Sequence, residues 1–203
     1  MKLYWSSRSP FVRKVMLAAH ELGIADRLEL EPAVVGMGSP NPLVMADNPL
    51  SRIPTLVLDD GTVYADSLLI IEYLDALGGR QALIPAERSR RFDMLRRHAL
   101  ASGLIEVSVL RRNERDRPAE KRSEPHLASY ALKTHAALAR FDAEAGTYMG
   151  QPFDAGQIAL AAALGYLDFR FADEPWRLAH ARLARWHEAV AARPSYQATM
   201  HVG

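Results

Sequence analysis

The chain has 203 residues, 49% of them hydrophobic, and a formal net charge of +1 at pH 7. That length and composition predict one large globular domain or two smaller ones that share a core. A charge so close to zero gives no reason to expect nucleic acid or a membrane surface as a partner. The absence of cysteine excludes disulfides, zinc–thiolate sites, iron–sulfur clusters and a cysteine nucleophile. No signal-peptide core follows Met1 and no histidine pair has metal-ligand spacing, so we expect a cytoplasmic protein without a metal.

Strand and helix patterns alternate over roughly the first eighty residues. Short apolar runs bounded by turn residues predict the strands, and apolar residues at helical spacing predict the helices between them. The predicted elements are strand 2–5, helix 10–22 with Gly23 as its stop, a strand that ends at Pro32, a short helix near 43–46, strands 53–58 and 62–64, and a helix between an Asp66-Ser67 cap and Gly78-Gly79. The order β-α-β-α-β-β-α matches a thioredoxin-like domain, which we assign to residues 1–79.

After a linker at 80–86 the strand signals vanish, and residues 87–203 predict an all-helical domain. The predicted helices cover 87–117, 123–145, 154–170 and 178–192. Gly146 is the expected end of the second of these helices, and Pro194 the expected end of the fourth. Asp154 and Gln157 have the spacing of a capping box at the start of the third helix.

The start of the first helix carries the clearest chemical signal. Ser9 occupies the N-cap position and Pro10 the first helical position. A hydroxyl, free backbone N–H groups and the positive end of the helix dipole therefore meet at Ser9, which favours an anionic ligand. A helix cap without any ligand explains the same residues. A serine-hydrolase site is excluded, because no Gly-x-Ser-x-Gly elbow and no paired histidine accompany Ser9.

Four motifs, in order and in register, carry a resemblance to a known family. They are SPFVRKV at 9–15, NPLSRIPTL at 48–56, DSLLIIEYL at 66–74 and ARPS at 192–195. Together they resemble the motifs of a cytosolic glutathione S-transferase of the serine-type, bacterial kind, over essentially the whole chain. The resemblance implies that family's fold, a thioredoxin-like domain followed by an all-α bundle, and it implies glutathione as a co-substrate.

The resemblance also implies roles for individual residues. Ser9 would stabilise the glutathione thiolate, with Ser6, Ser7 and the more distant Tyr4 as alternative donors. Pro54 would follow a cis peptide bond that presents the Ile53 backbone to the cysteinyl residue of glutathione. Asp66 and Ser67 would hold the γ-glutamyl end. Many relatives bind the glycyl carboxylate with a basic residue on the second helix; here no Lys or Arg occurs from Leu28 to Ser51, and Arg52 is the nearest candidate.

The implied activity is transfer of glutathione to a hydrophobic electrophile, as in detoxification. Candidate residues for the acceptor pocket are Trp5, Phe11, Leu104 and Arg111. A homodimer is expected by resemblance. The alternative is a GST-like interaction or regulatory module with little turnover, which the missing basic residue before Arg52 would favour.

Overall fold

The structure is a computed structural model that describes residues 1–79 and 82–202. Its first part holds a four-stranded sheet in the order β2-β1-β3-β4, in which β1 and β2 are parallel and the other neighbours antiparallel. The strands are β1 Lys2–Trp5, β2 Glu29–Pro32, β3 Thr55–Val57 and β4 Val63–Ala65. The helices between and after them are α1 Pro10–Glu21, α2 Pro42–Asp47 and α3 Ser67–Leu77. The predicted β-α-β-α-β-β-α order is confirmed.

The predicted stop of α1 at Gly23 is confirmed by the backbone. Gly23 has φ +69°, a conformation that glycine adopts without a Cβ penalty. Its N–H donates to the His20 carbonyl at 3.1 Å, and the Ile24 N–H donates to the Ala19 carbonyl at 2.9 Å. These two bonds form a Schellman motif, which satisfies carbonyls that the helix end leaves open.

Both faces of the sheet are covered, and because side chains alternate along each strand, the core has two layers, one on each face. Leu3 and Leu56 are fully buried in the main core, which includes residues of α1 and α3. The next residue, Tyr4, points to the opposite face and packs with Ala33 and with Val44 of α2. The irregular segment around α2 is therefore anchored to the sheet by its own small core.

The second part of the described chain is helical. Its helices are α4 Arg88–Arg115, α5 Glu124–Tyr148, α6 Ala155–Arg170, α7 Ala181–Ala191 and α8 Pro194–Ala198; short 3-10 turns lie at Ala25–Arg27, Ala119–Lys121 and Trp176–Ala179. The first part and this bundle confirm the predicted fold class. The domain limits 1–79 and 87–203 stay predictions, and Arg80 and Gln81 of the predicted linker lie outside the described residues.

Two predicted helix limits in the bundle are wrong. α5 runs through Gly146 to Tyr148, because the Tyr148 side chain is fully buried and its hydroxyl donates to the Phe141 carbonyl at 2.8 Å. Burial of that last turn outweighs the cost of about 1 kcal/mol for an internal glycine. The last long helix, α7, starts at Ala181 rather than 178, because Trp176–Ala179 forms a separate 3-10 turn.

The capping box of α6 is only half formed. The Asp154 carboxylate accepts the Gln157 N–H at 2.9 Å and also pairs with the Arg97 guanidinium at 3.0 Å. The Gln157 side chain does not reach back to the Asp154 N–H; it donates to the Pro152 carbonyl at 2.7 Å. The predicted reciprocal cap is corrected on this point, because the buried Gln157 amide is oriented so that its NH2 group donates to the preceding loop.

α1 joins the two parts of the molecule. Every residue from Val12 to Ala19 is buried, so this helix contacts the sheet layer on one side and the bundle on the other. On the bundle side the Arg13 guanidinium lies 4.1 Å from the centre of the Tyr196 ring and fills the space above Gly165. None of the helices in 1–79 and 82–202 has the length and apolar content needed to cross a membrane.

Candidate functional site

The strand register brings the candidate residues to one end of the sheet. Tyr4 of β1, Thr55 of β3 and Ala65 of β4 lie side by side. The turn at 6–9, the pair 53–54 and the pair 66–67 therefore all lie just beyond that row. Neighbouring strands lie about 4.8 Å apart, so the row spans roughly 10 Å. Three extended residues span about 10 Å as well, which is the length of a tripeptide.

Ser9 is at once a helix cap and a free hydroxyl donor. Its Oγ accepts the Val12 N–H at 3.2 Å, and its own N–H donates to the Ser6 carbonyl at 3.2 Å. Accepting a hydrogen bond uses a lone pair of the hydroxyl oxygen and leaves the O–H able to donate. The side chain is only half-buried, so the O–H can reach a bound ligand. Capping and ligand binding are compatible at this residue.

The alternative donors differ in whether their hydroxyl groups already donate hydrogen bonds to other residues. The Tyr4 hydroxyl lies on the α2 side of the sheet, 2.7 Å from Asp47 Oδ2 and 2.9 Å from Lys2 Nζ. The Ser7 hydroxyl donates to the Val202 carbonyl at 3.2 Å. The Ser6 hydroxyl accepts the Arg8 N–H at 3.3 Å, so its own O–H stays available. Ser6 is thus the one alternative to Ser9 on this turn whose described contacts leave its O–H uncommitted.

The Ile53-Pro54 peptide bond is cis. The loop before it is organised by the buried Asn48, whose amide donates to Thr55 Oγ1 at 2.9 Å and to the Arg52 carbonyl at 3.3 Å. Within 1–79 and 82–202, neither the N–H nor the C=O of Ile53 forms a backbone hydrogen bond. The backbone of Ile53 is therefore free to pair with an added extended chain.

The start of α3 shows two features that ordinary packing does not explain. Asp66 has φ +84°, a strained conformation for a residue with a Cβ, while its carboxylate caps the Leu68 N–H at 2.8 Å. Ser67 is 2% exposed, and its Oγ has no hydrogen-bond partner among the described residues. A buried polar group without a partner costs about 1–3 kcal/mol. Both features lie where the helix dipole attracts an anion, which makes this position a candidate ligand site.

A buried cation lies behind this row. Lys14 of α1 is 1% exposed, and its Nζ donates to Ser102 Oγ of α4 at 2.9 Å and lies 3.4 Å from His98 Nε2. Burial lowers the pKa of Lys14 to about 8, and the nearby charge of Asp66 partly offsets that effect. Burial, followed by the charge of Lys14, lowers the pKa of His98 to about 4. No motif in the sequence indicates this cluster.

Of the remaining candidate residues, Arg52, Trp5 and Phe11 lie near this end of the sheet. Arg52 is exposed beside Ile53, and its guanidinium forms no ion pair with any residue the structure describes. Trp5 and Phe11 are half-buried and flank the Ser9 turn. The ring centre of Phe11 lies 5.0 Å from Lys14 Nζ.

The two acceptor candidates on α4 make contacts away from the Ser9 turn. Leu104 is 3% exposed and lines a cavity of about 470 Å³ between α4 and α5. Arg111 forms a two-pronged ion pair with Glu174 at 2.7 and 2.9 Å and lies 4.9 Å from the Phe171 ring centre. Arg111 is therefore already neutralised by the loop after α6, and a role in acceptor binding stays a prediction.

Sequence reasoning also missed a contact between the Ser9 turn and the segment after α8. His201 Nδ1 lies 2.8 Å from the Ser7 carbonyl oxygen. No sequence signal predicts this pairing, because the two residues lie at opposite ends of the described chain and only the folded bundle brings them together.

Comparison with known proteins identifies the family. The family model for the glutathione S-transferase N-terminal domain matches residues 8–77, and that for the C-terminal domain matches residues 124–189. The chain is 30% identical to the uncharacterized GST-like protein YibF of Escherichia coli K12, over 98% of both chains. The chain belongs to the glutathione S-transferase family.

Solved structures agree with this assignment. A glutathione transferase family member from Pseudomonas fluorescens Pf-5, crystallised with bound glutathione, is 40% identical over 100% of this chain and 99% of its own, with a TM-score of 0.96. A glutathione S-transferase from Methylobacillus flagellatus KT with glutathione bound is 31% identical over 99% of both chains, with a TM-score of 0.88.

Proposed function

We propose that this protein is a glutathione transferase that binds glutathione along the row at the sheet end and transfers it to a hydrophobic electrophile. The observation that carries the proposal is the strand register of Tyr4, Thr55 and Ala65, which brings the segments holding Ser9, Ile53 and Ser67 to the same end of the sheet. There the Ser67 hydroxyl is buried and has no described partner. The glutathione bound in the relatives from P. fluorescens and M. flagellatus supports the choice of ligand.

Glutathione lies across the three strands in this proposal. Its γ-glutamyl carboxylate takes the Ser67 hydroxyl and the free N–H groups at the start of α3, and its α-ammonium pairs with Asp66. Its cysteinyl backbone pairs with Ile53, next to the cis bond to Pro54, like an added strand. Its glycyl carboxylate reaches Arg52, an exposed cation that is the sequence neighbour of Ile53.

A hydrogen bond from Ser9, together with the start of α1, supplies enough free energy to lower the pKa of the glutathione thiol. Lowering a thiol pKa by two units requires about 2.7 kcal/mol of preference for the thiolate. A hydrogen bond to a charged group contributes about 1.5–3 kcal/mol, and the start of α1 adds roughly 0.3–1 kcal/mol. Ser9 donates to the sulfur and forms no covalent bond itself. The thiolate attacks the electrophilic carbon, the C–S bond forms, and the leaving group departs with its electron pair.

The remaining parts of the proposal concern the acceptor and the assembly. The acceptor lies against Trp5 and Phe11, with Leu104 and Arg111 of α4 as its far wall.

The protein works in the cytoplasm, where the glutathione pool is held, and it serves in detoxification. It forms a homodimer, as the family resemblance implies. Leu69, Phe92 and Leu132, which are exposed on α3, α4 and α5, are candidates for its interface. Size-exclusion chromatography with light scattering tests the dimer, and a monomer at working concentration would contradict it.

Calorimetric titration with glutathione, followed by conjugation assays with an activated aryl halide, tests the activity. We expect binding with proton release in the wild type, and loss of proton release and of most turnover in Ser9→Ala. Ser6→Ala removes the alternative donor on the same turn, and we expect it to keep proton release and most of the turnover; a loss as large as that of Ser9→Ala would assign thiolate stabilisation to Ser6 instead. Binding without turnover towards any electrophile would instead favour the interaction-module alternative.

A further inference from the structure

The turn at 6–9 is tied to the segment after α8 by two hydrogen bonds, one of which comes from an imidazole. His201 Nδ1 lies 2.8 Å from the Ser7 carbonyl oxygen, and the Ser7 hydroxyl donates to the neighbouring Val202 carbonyl at 3.2 Å. A carbonyl oxygen only accepts, so the neutral His201 ring must carry its proton on Nδ1. His201 Nε2 is buried and has no partner in 1–79 or 82–202, so Ser7 is the one described hydrogen-bond partner of this ring.

The imidazole is held in place by α6, the most deeply buried helix of the described chain. Its ring stacks on Phe169 at 5.1 Å and 13°, and it meets the edge of the Tyr166 ring at 5.7 Å. Tyr166 is 2% exposed and cannot move without disturbing the core. A rigid helix therefore fixes the ring, and the ring fixes the Ser7 carbonyl.

The turn has few other restraints. Inside it, the Ser9 N–H donates to the Ser6 carbonyl at 3.2 Å and the Arg8 N–H to the Ser6 hydroxyl at 3.3 Å. Both bonds are long for their type, and Arg8 is exposed. On its other side Ser9 is held by α1, because its carbonyl accepts the Arg13 N–H at 3.0 Å and its Oγ accepts the Val12 N–H at 3.2 Å. A shift at Ser7 reaches Ser9 through the backbone of Arg8, so we expect its effect on the Ser9 hydroxyl to be smaller than the loss of that hydroxyl.

We propose that His201 is a positioning residue for Ser9: it holds the Ser7 carbonyl against α6 and so sets the place from which the Ser9 hydroxyl donates to the glutathione sulfur. This inference rests on the proposed function of Ser9. It assigns His201 no contact with glutathione, and its effect is therefore on thiol activation rather than on glutathione affinity.

Two substitutions separate the hydrogen bond of His201 from its stacking. His201→Phe keeps a flat ring for Phe169 and removes the donor, whereas His201→Asn keeps an N–H donor near the position of Nδ1 and removes the ring. We expect His201→Phe to raise the pKa of the bound glutathione thiol by about 0.5–1 unit. Turnover below that pKa should fall about 3- to 10-fold at unchanged glutathione KM. His201→Asn should stay within about 0.3 unit of the wild type. His135→Phe, on the exposed face of α5, is the matched control and should change nothing.

The outcomes distinguish this inference from the function on which it rests. If Ser9→Ala raises the bound-thiol pKa and His201→Phe does not, the positioning role is overturned and the proposed function stands. If both His201 variants raise the pKa equally, the effect is not specific to the hydrogen bond, because His201→Asn keeps the donor, and this also overturns the positioning role. If Ser9→Ala has no effect, both proposals fail. Nitrogen NMR of the wild-type imidazole gives a test that needs no variant: an Nε2-protonated neutral ring would contradict the contact with Ser7.

Discussion

Replacement of Ser67 by alanine should have opposite effects on stability and on ligand binding. The Ser67 hydroxyl is buried at the first position of α3 without a described partner, so the free protein bears the cost of its lost hydration. That cost is about 1–3 kcal/mol. Alanine removes the hydroxyl and has a better helix propensity, so Ser67→Ala should be neutral or stabilising, by up to about 2 kcal/mol.

Glutathione affinity should fall in the same variant. The proposed γ-glutamyl carboxylate loses a charge-assisted hydrogen bond of about 1.5–3 kcal/mol. Every 1.4 kcal/mol is tenfold in Kd, so the Kd for glutathione should rise about 10- to 150-fold. Calorimetry measures the Kd, and thermal unfolding without ligand measures stability, where 1 kcal/mol corresponds to roughly 2–4 °C for a chain of this size.

Ser195→Ala is the matched control for Ser67→Ala. Ser195 is also a buried serine in the first turn of a helix, α8, but its hydroxyl donates to the Glu21 carboxylate. Its loss should lower the free energy of unfolding by about 1.5–3 kcal/mol and leave the Kd for glutathione unchanged. A Ser67→Ala protein that is destabilised like Ser195→Ala and binds glutathione like the wild type would refute the assignment of Ser67 as a ligand group.

Three further predictions concern other parts of the molecule. Arg52→Gln should weaken glutathione binding about 1.5- to 5-fold, as expected for an exposed ion pair; glutathione with its glycyl carboxylate converted to the neutral amide should bind equally to both proteins, and a parallel loss would contradict the role of Arg52. Gly165→Ala should destabilise by about 1–3 kcal/mol, because a Cβ there would lie 2.1 Å from an Arg13 nitrogen; Gly103→Ala on α4, with nothing within 4 Å of its Cβ position, should be neutral or stabilising in the same urea titration. Lys14, whose folded pKa of about 8 lies below its ordinary 10.5, binds its proton less well when folded. The unfolded chain therefore holds more protons between those values, and stability relative to Lys14→Met should rise by about 3 kcal/mol from pH 8 to 10.5; a flat difference would show that Lys14 is not buried as described.

Local patterns were sufficient to predict the elements of the fold. Several signals that depend only on neighbouring residues are present in the structure. They are the strand and helix periods of the first part, the Ser9 cap followed by Pro10, and the Gly23 stop. Where a local signal competed with distant packing, the prediction was wrong. Gly146 signals a helix end, but burial of Tyr148 carries α5 past it.

The same contrast between local sequence signals and distant packing holds for the candidate site. The motifs point to Ser9, Ile53 and Ser67, and the sheet register brings the segments that hold them to the same end of the sheet. Their roles towards glutathione stay proposals. The buried Lys14 and the contact of His201 with Ser7 could not be predicted, because a lysine in a helical run and a histidine after the last helix both resemble surface residues until distant elements pack over them.

The pKa of the glutathione thiol in its complex with the protein tests the central claim most directly. Ultraviolet absorbance of the thiolate, followed through a pH titration of the saturated complex, gives that pKa for the wild type and for Ser9→Ala. We expect the wild-type value to lie about two units below that of a free thiol, near 8.5, and the Ser9→Ala value to lie about one to two units above the wild type. Equal values in the two proteins would contradict the account and leave Ser9 as a helix cap alone.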